Sequence, residues 1–63
     1  MTFEECIEAM KNDKPVQVPS KDGGDARVGV MQAVGIDSSR IRIFPHYFTA
    51  VYPNDQIELF NAD

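Results

Sequence analysis

The residues that could act as catalytic groups or metal ligands are few and far apart. His46 is the only histidine and Cys6 the only cysteine. General acid–base catalysis needs a partner within hydrogen-bond reach, and no acidic residue lies near His46 in the sequence. Zinc needs about four ligands, more than one cysteine and one histidine supply. We therefore expect no enzymatic activity, no cofactor and no metal site, with His46 solvated in a turn and Cys6 buried and inert.

Two groups of acidic residues have equally ordinary interpretations. The segment Asp22-Gly23-Gly24-Asp25 lacks the Asp-x-Asp-x-Asp-Gly spacing and the late glutamate of a calcium loop, so it predicts a turn. Glu4, Glu5 and Glu8 are expected to form the solvated face of a helix.

The arginines and aromatic residues are the more informative set. Residues 1–25 carry six acids and three lysines, whereas residues 26–52 carry three arginines and one acid. Arginine mixed with aromatic side chains is typical of interface hot spots. The sequence therefore predicts a surface that binds another protein or a second copy of this chain, made by Arg40, Arg42, Tyr47, Phe48 and Tyr52.

A nucleic-acid module is the alternative function for the same surface, with aromatic rings stacking on bases. The net charge of −4 argues against binding to a phosphate backbone, for which a basic domain is expected.

A β-hairpin must position these residues. Residues 27–34 and 40–44 alternate with period two and are rich in β-branched side chains. A loop of even length places Val34 opposite Ile41 and Gln32 opposite Ile43. In that register all three arginines share the outer face with methionine and aromatic side chains.

The remaining elements follow from turn residues and periodicity. A three-residue loop, Pro45 to Tyr47, should lead to a strand over 48–52 that places Val51 opposite Ile41 and Tyr52 opposite Arg40 on the outer face. A 3₁₀ turn over 53–56 and a closing strand over 57–60 complete the sheet, and residues 16–18 form a short strand suited to a sheet edge.

A helix is predicted over residues 2–12, where Thr2 and Glu5 match a capping box. Its apolar stripe is Phe3, Cys6, Ile7 and Met10, and a helix this short must dock that stripe on something. It could cover the outer face as a second small core, or leave the arginine end open.

Length and composition indicate a single domain, residues 1–63, without a disulfide. Acidic residues interrupt the start of the chain, which predicts no signal peptide, and no apolar run approaches the ~20 residues of a membrane span. We expect a soluble, cytoplasmic protein, and its small core makes a homo-oligomer an open alternative.

The pattern resembles the SH3-like small barrels. Two segments show the resemblance. One is the glycine-containing strand Arg27-Val28-Gly29-Val30, which is similar to a KOW-type strand, and the other is Tyr52-Pro53-Asn54-Asp55-Gln56-Ile57. The resemblance implies a mainly β fold, a five-strand antiparallel barrel over 15–60 with an added N-terminal helix. The alternative is a helix packed on a four-stranded antiparallel meander.

Two departures limit what the resemblance implies. The acidic loop and tryptophan of peptide-binding SH3 domains are missing, as are the basic loops of KOW domains that bind RNA. The expected function is therefore a small non-catalytic protein-interaction module. Small phage and mobile-element accessory proteins often open with a similar acidic helix.

Overall fold

The computed structural model describes residues 1–20 and 22–60, and within these ranges it has one helix and five strands. The strands form an antiparallel sheet with the order β4-β3-β2-β1-β5. The fold is mainly β with an N-terminal helix, as predicted. The elements are α1 (Phe3–Lys11), β1 (Pro15–Val18), β2 (Arg27–Val34), β3 (Ser38–Ile43), β4 (Phe48–Pro53), a 3₁₀ turn (Asn54–Gln56) and β5 (Glu58–Leu59).

The sheet is open, so the predicted barrel is wrong. Within the described residues β4 and β5 lie at opposite edges and do not pair with each other. β5 has only two residues, which pair with Val16 and Gln17 of β1. This pairing also means that β1 is not an edge strand, and it makes the sheet five-stranded rather than a four-stranded meander. Because α1 buries Cys6 and Ala9 in the same cluster as the sheet residues, the helix helps to enclose the core without closure of the sheet.

Both ends of α1 follow from local sequence. Thr2 Oγ1 accepts the N–H of Glu5 at 3.1 Å, and Glu5 Oε1 accepts the N–H of Thr2 at 2.8 Å, which is the predicted capping box. Two hydrogen bonds with Thr2 hold the pKa of Glu5 below its ordinary value, because both favour the charged carboxylate. The bond with the Thr2 backbone has the larger effect and the bond with its side chain the smaller. Asp13 lies in the left-handed region at φ 52° and ends the helix.

The core lies between α1 and one face of the sheet, which we call the inner face. On the helix, Cys6 and Ala9 are fully buried, whereas Phe3, Ile7 and Met10 of the predicted stripe are partly buried. The helix therefore docks on the inner face and leaves the arginine-bearing outer face of β3 uncovered. The buried hydrophobic residues are Cys6, Ala9, Val16, Val18, Met31, Ile41, Ile43, Tyr52 and Ile57.

Because α1 docks on the inner face, we predict that the Cys6 thiol is protected from chemical modification. In the folded protein dithionitrobenzoate should modify it on the order of 100-fold or more slowly than in concentrated urea, because reaction requires local opening. A Cys6→Ser/Ser38→Cys variant is the control, since Ser38 is exposed and should react at similar rates in both conditions. Equal rates for Cys6 with and without urea would contradict the packing of α1.

A β-bulge changes the register between β2 and β3. Val34 pairs with Ser39, but the register shifts at Gln32, so that Met31 pairs with Ile41 and Gly29 with Ile43. The predicted pairing of Val34 with Ile41 is wrong even before the bulge, because Val34 pairs with Ser39 across an even loop of residues 35–38. One extra residue in a strand reverses the faces of the residues beyond it, which brings Met31 and Gly29 to the inner face.

The register between β3 and β4 differs from the prediction by one residue. Ile41 pairs with Ala50 and Arg40 with Val51, because the connecting loop has four residues, 44–47, instead of three. A shift of one residue exchanges the two faces of a strand. Tyr52 is therefore opposite Ser39 on the inner face and only 4% exposed, whereas Val51 is 51% exposed.

Candidate functional site

The outer face of β3 carries two exposed arginines. Burial alternates along this strand, so that Ser39, Ile41 and Ile43 point into the core while Arg40 and Arg42 stand on the opposite side. These two residues flank Ile41 at alternate positions, which places their Cα atoms roughly 6.6 Å apart. The prediction that both are exposed on the outer face is confirmed.

The residues around these arginines are small and uncharged. Arg40 lies beside Val51 and Arg42 beside Thr49 of β4. The hydroxyl of Thr49 donates to Oε1 of Gln32 at 3.0 Å, which links β4 to the bulge in β2. We call the surface formed by Arg40, Arg42, Thr49 and Val51 the arginine face.

Neither guanidinium on the arginine face has a side-chain hydrogen bond or ion pair with any other residue that the structure describes. The ion pair found in residues 1–20 and 22–60 instead joins Arg27 and Asp22, at 3.7 Å. An exposed, unpaired guanidinium keeps its five donors available for bidentate contact with a carboxylate. The arginine face is therefore suited to binding anionic groups held about one strand repeat apart.

Arg27 does not belong to this face, contrary to prediction. It pairs with Val18 on the inner side of the sheet, beyond the bulge, and its guanidinium lies 5.7 Å from the ring centroid of Phe48. Nearby, the rings of Phe44 and Tyr47 meet edge to face with centroids 5.2 Å apart. We call Arg27, Phe44, Tyr47 and Phe48 the aromatic rim.

The loop beside the aromatic rim is a turn held by its own side chains, as predicted for the Asp-Gly-Gly-Asp segment. The carboxylate of Asp22 accepts the Ser20 hydroxyl and the N–H of Gly24. The hydrogen bond from the Ser20 hydroxyl has the largest effect among those that hold the pKa of Asp22 below its ordinary value. A groove of about 510 Å³ lies between this loop, with Arg27, and residues 48–52 of β4.

The structure thus separates the five predicted binding residues. Arg40 and Arg42 share the arginine face. Tyr47, 61% exposed, and Phe48, 43% exposed, lie at the aromatic rim. Tyr52, predicted as an exposed anchor, is buried because of the register of β4. The register also reveals Val51 and Thr49 as surface neighbours of the arginines, which no local sequence signal indicates.

The structure also places the two residues considered as possible catalytic groups or metal ligands. His46 is exposed in the turn between β3 and β4, as predicted, and Cys6 is buried. Within residues 1–20 and 22–60, no group of three histidine, cysteine or acidic side chains could hold a metal ion. The helix in the same ranges is neither long nor apolar enough to cross a membrane.

Comparison of the chain with protein-family models, curated proteins and solved structures gives no match in any of the three.

Proposed function

We propose that this protein is a non-catalytic interaction module whose arginine face binds an acidic segment of a partner protein. The observation that carries the proposal is the pair of exposed arginines, Arg40 and Arg42, without side-chain partners among the described residues. Arginine is enriched in interface hot spots and suits bidentate contacts with carboxylates.

The spacing of the two arginines favours carboxylates on an extended chain. Residues at alternate positions of a strand lie about 6.6 Å apart and on the same side. Glutamates at alternate positions of a partner segment would therefore match the separation of Arg40 and Arg42. The uncharged neighbours Thr49 and Val51 allow such a segment to approach closely.

We also propose that the fold is related to the SH3-like small barrels. A 3₁₀ turn at Asn54–Gln56 directly precedes the closing strand β5, as the resemblance implies. β5 then pairs with β1, the first strand of the sheet, although the sheet stays open between β4 and β5 among the described residues. This relationship concerns the fold and adds no ligand to the proposal.

An acidic protein is a better ligand for this face than a nucleic acid. The chain carries ten acids against six basic residues, so the extended charge of a polynucleotide would be repelled outside the arginine face. The exposed rings of Tyr47 and Phe48 lie at the aromatic rim, and Tyr52 is buried, so no exposed ring stands on the arginine face for a base to stack upon.

The proposal predicts that charge reversal on the arginine face abolishes binding of an acidic peptide. The probe is a labelled peptide that alternates glutamate with valine, and the variant is Arg40→Glu/Arg42→Glu. Each reversal replaces an attraction of up to about 1 kcal/mol by a similar repulsion, so the affinity should fall about 30-fold or more. Fluorescence anisotropy measures the Kd.

The matched control is Lys11→Glu/Lys14→Glu, which changes the net charge by the same amount at two exposed positions outside the sheet. It should alter the Kd by no more than about threefold, as expected of distant, screened charges. An equal loss in both double variants, or tighter binding to a single-stranded oligonucleotide than to the acidic peptide, would contradict the proposal.

A further inference from the structure

Among the residues that the structure describes, no strand pairs with the outer edge of β4. In the sheet order β4-β3-β2-β1-β5, the described residues provide a neighbour for β4 only on the side of β3. Every second residue of such an edge directs its N–H and C=O groups away from the sheet, where another chain can pair with them. Such an edge can therefore accept an extended backbone as a further strand.

The usual protection of sheet edges is weak in β4. Natural edge strands carry lysine, inward-pointing charges, bulges or proline. β4 has the sequence Phe48-Thr49-Ala50-Val51-Tyr52-Pro53, which contains no charged residue, and its pairing with β3 runs without a bulge. Proline occurs only at its last position. Nothing in the sequence of β4 itself therefore opposes strand addition at residues 49–51.

We propose, on the basis of the proposed function, that the acidic partner segment binds as a sixth strand along the outer edge of β4, at residues 49–51. An added strand would lie two strand spacings, roughly 9.6 Å, from β3. The side chains of an arginine and a glutamate together span that distance across the short Thr49 and Val51. Glutamates on the outer side of the added strand thus reach Arg40 and Arg42.

The groove of about 510 Å³ lies along the edge of β4 and is lined by residues from both faces of this strand, so the added strand would lie within it and turn alternate side chains toward the inner side of the sheet. Phe48, Ala50 and Tyr52 turn toward this side, because they pair with inner-face residues of β3. The side chains that alternate with the glutamates are therefore expected to be apolar and to rest against Phe48 and the stem of Arg27. The partner class is an extended segment in which acidic and apolar residues alternate.

A second copy of this chain fits the edge less well. Pairing of β4 with β4 of another copy would supply no carboxylate to the arginine face, since β4 has no acidic residue. It would also bring two pairs of arginines toward each other on the same face. Charge complementarity therefore favours a different protein.

Backbone methylation of the peptide probe tests the inference separately from the proposed function. Two forms of the alternating glutamate–valine peptide are compared, one methylated on its glutamate nitrogens and one on its valine nitrogens. They are identical in charge and composition, but only one set of nitrogens faces β4 in a strand. One form should bind at least about tenfold more weakly than the other, since it loses the ladder hydrogen bonds.

Amide hydrogen exchange gives the matching readout on the protein. Unmodified peptide should slow exchange at alternate residues of β4. If both methylated forms bind as well as the unmodified peptide, and Arg40→Glu/Arg42→Glu still abolishes binding, the strand-addition inference is overturned while the proposed function stands. If the β4 edge is already protected in the free protein and the protein is a dimer in solution, a second copy occupies the edge and the inference is likewise overturned.

Discussion

Replacement of Asn54 by aspartate should lower the free energy of unfolding by about 3–5 kcal/mol at neutral pH, the usual consequence of an unpaired buried charge. The Asn54 side chain is 5% exposed. Its Oδ1 accepts the Ser39 hydroxyl at 2.6 Å, and its Nδ2 donates to the carbonyls of Gly35 and Ile36 at 2.9 and 3.1 Å. A carboxylate of the same shape keeps the first bond and turns a negative oxygen toward two carbonyl oxygens.

The loss should depend on pH in a defined direction. Burial and the two carbonyls raise the pKa of the introduced carboxyl in the folded protein above its unfolded value. The variant therefore approaches the stability of the parent at pH values below the unfolded pKa, and loses stability as the pH rises. Urea unfolding followed by circular dichroism across this pH range measures the effect.

The control for Asn54 is the same chemical change at an exposed position. Asn12→Asp alters a residue at the solvent-exposed end of α1, where its Nδ2 donates to the backbone carbonyl and to Oε1 of Glu8. It should cost about 1 kcal/mol, through the loss of these exposed bonds, screened repulsion from Glu8 and the helix dipole. A similar cost at both positions, or a loss at position 54 that does not depend on pH, would contradict the role assigned to the Asn54 network.

Replacement of Gly29 by alanine should cost about 3 kcal/mol or more, at or above the upper end for an overpacked core. A β-carbon at this position would lie 2.2 Å from the carbonyl oxygen of Arg42 and 2.9 Å from Cγ2 of Ile41. The first contact is with backbone, so β2 and β3 would have to separate at the centre of the sheet. A core of this size seldom supplies more than about 3–5 kcal/mol, so little free energy of unfolding should remain at 25 °C.

Gly24→Ala is the control for this substitution, measured by urea unfolding under the same conditions. In the loop before β2 the added methyl group would approach only the side chains of Asp22, at 3.3 Å, and Ser20, at 3.9 Å, which can move. The free energy of unfolding should change by no more than about 0.5 kcal/mol. Equal stability of the two variants would contradict the close approach of β2 and β3 at Gly29.

Features that depend on short segments could be predicted from the sequence. The capping box of Thr2 and Glu5 is determined by four consecutive residues. The 3₁₀ turn and the existence of β2, β3 and β4 likewise follow from local composition and period. The exposure of Arg40 and Arg42 was predictable for the same reason, since alternation within β3 holds whatever register its neighbours adopt.

Features that depend on register could not be predicted. The bulge at Gln32 has no glycine to signal it, and it reverses the faces of Met31 and Gly29. The loop after β3 ends with Tyr47 in the left-handed region at φ 58°, a conformation for which glycine or asparagine is the usual signal. The resulting shift of one residue buried Tyr52 and exposed Val51.

The open edge of β4 was also outside the reach of sequence reasoning. The resemblance to SH3-like barrels implied closure, which would have left no edge to bind a partner. The helix supplies Cys6 and Ala9 to the core, and β5 is only two residues long. Whether such a small sheet closes depends on the packing of all its elements together, which no single segment encodes.

Reciprocal charge exchange tests the central claim most directly. The Kd of the glutamate–valine peptide and of a lysine–valine peptide of the same length is measured by fluorescence anisotropy against the parent protein and against Arg40→Glu/Arg42→Glu. We predict that the parent prefers the glutamate peptide and that the variant prefers the lysine peptide, because the same two positions face the ligand in both cases. An unchanged preference for the glutamate peptide in the variant, or no preference in the parent, would contradict binding through the arginine face.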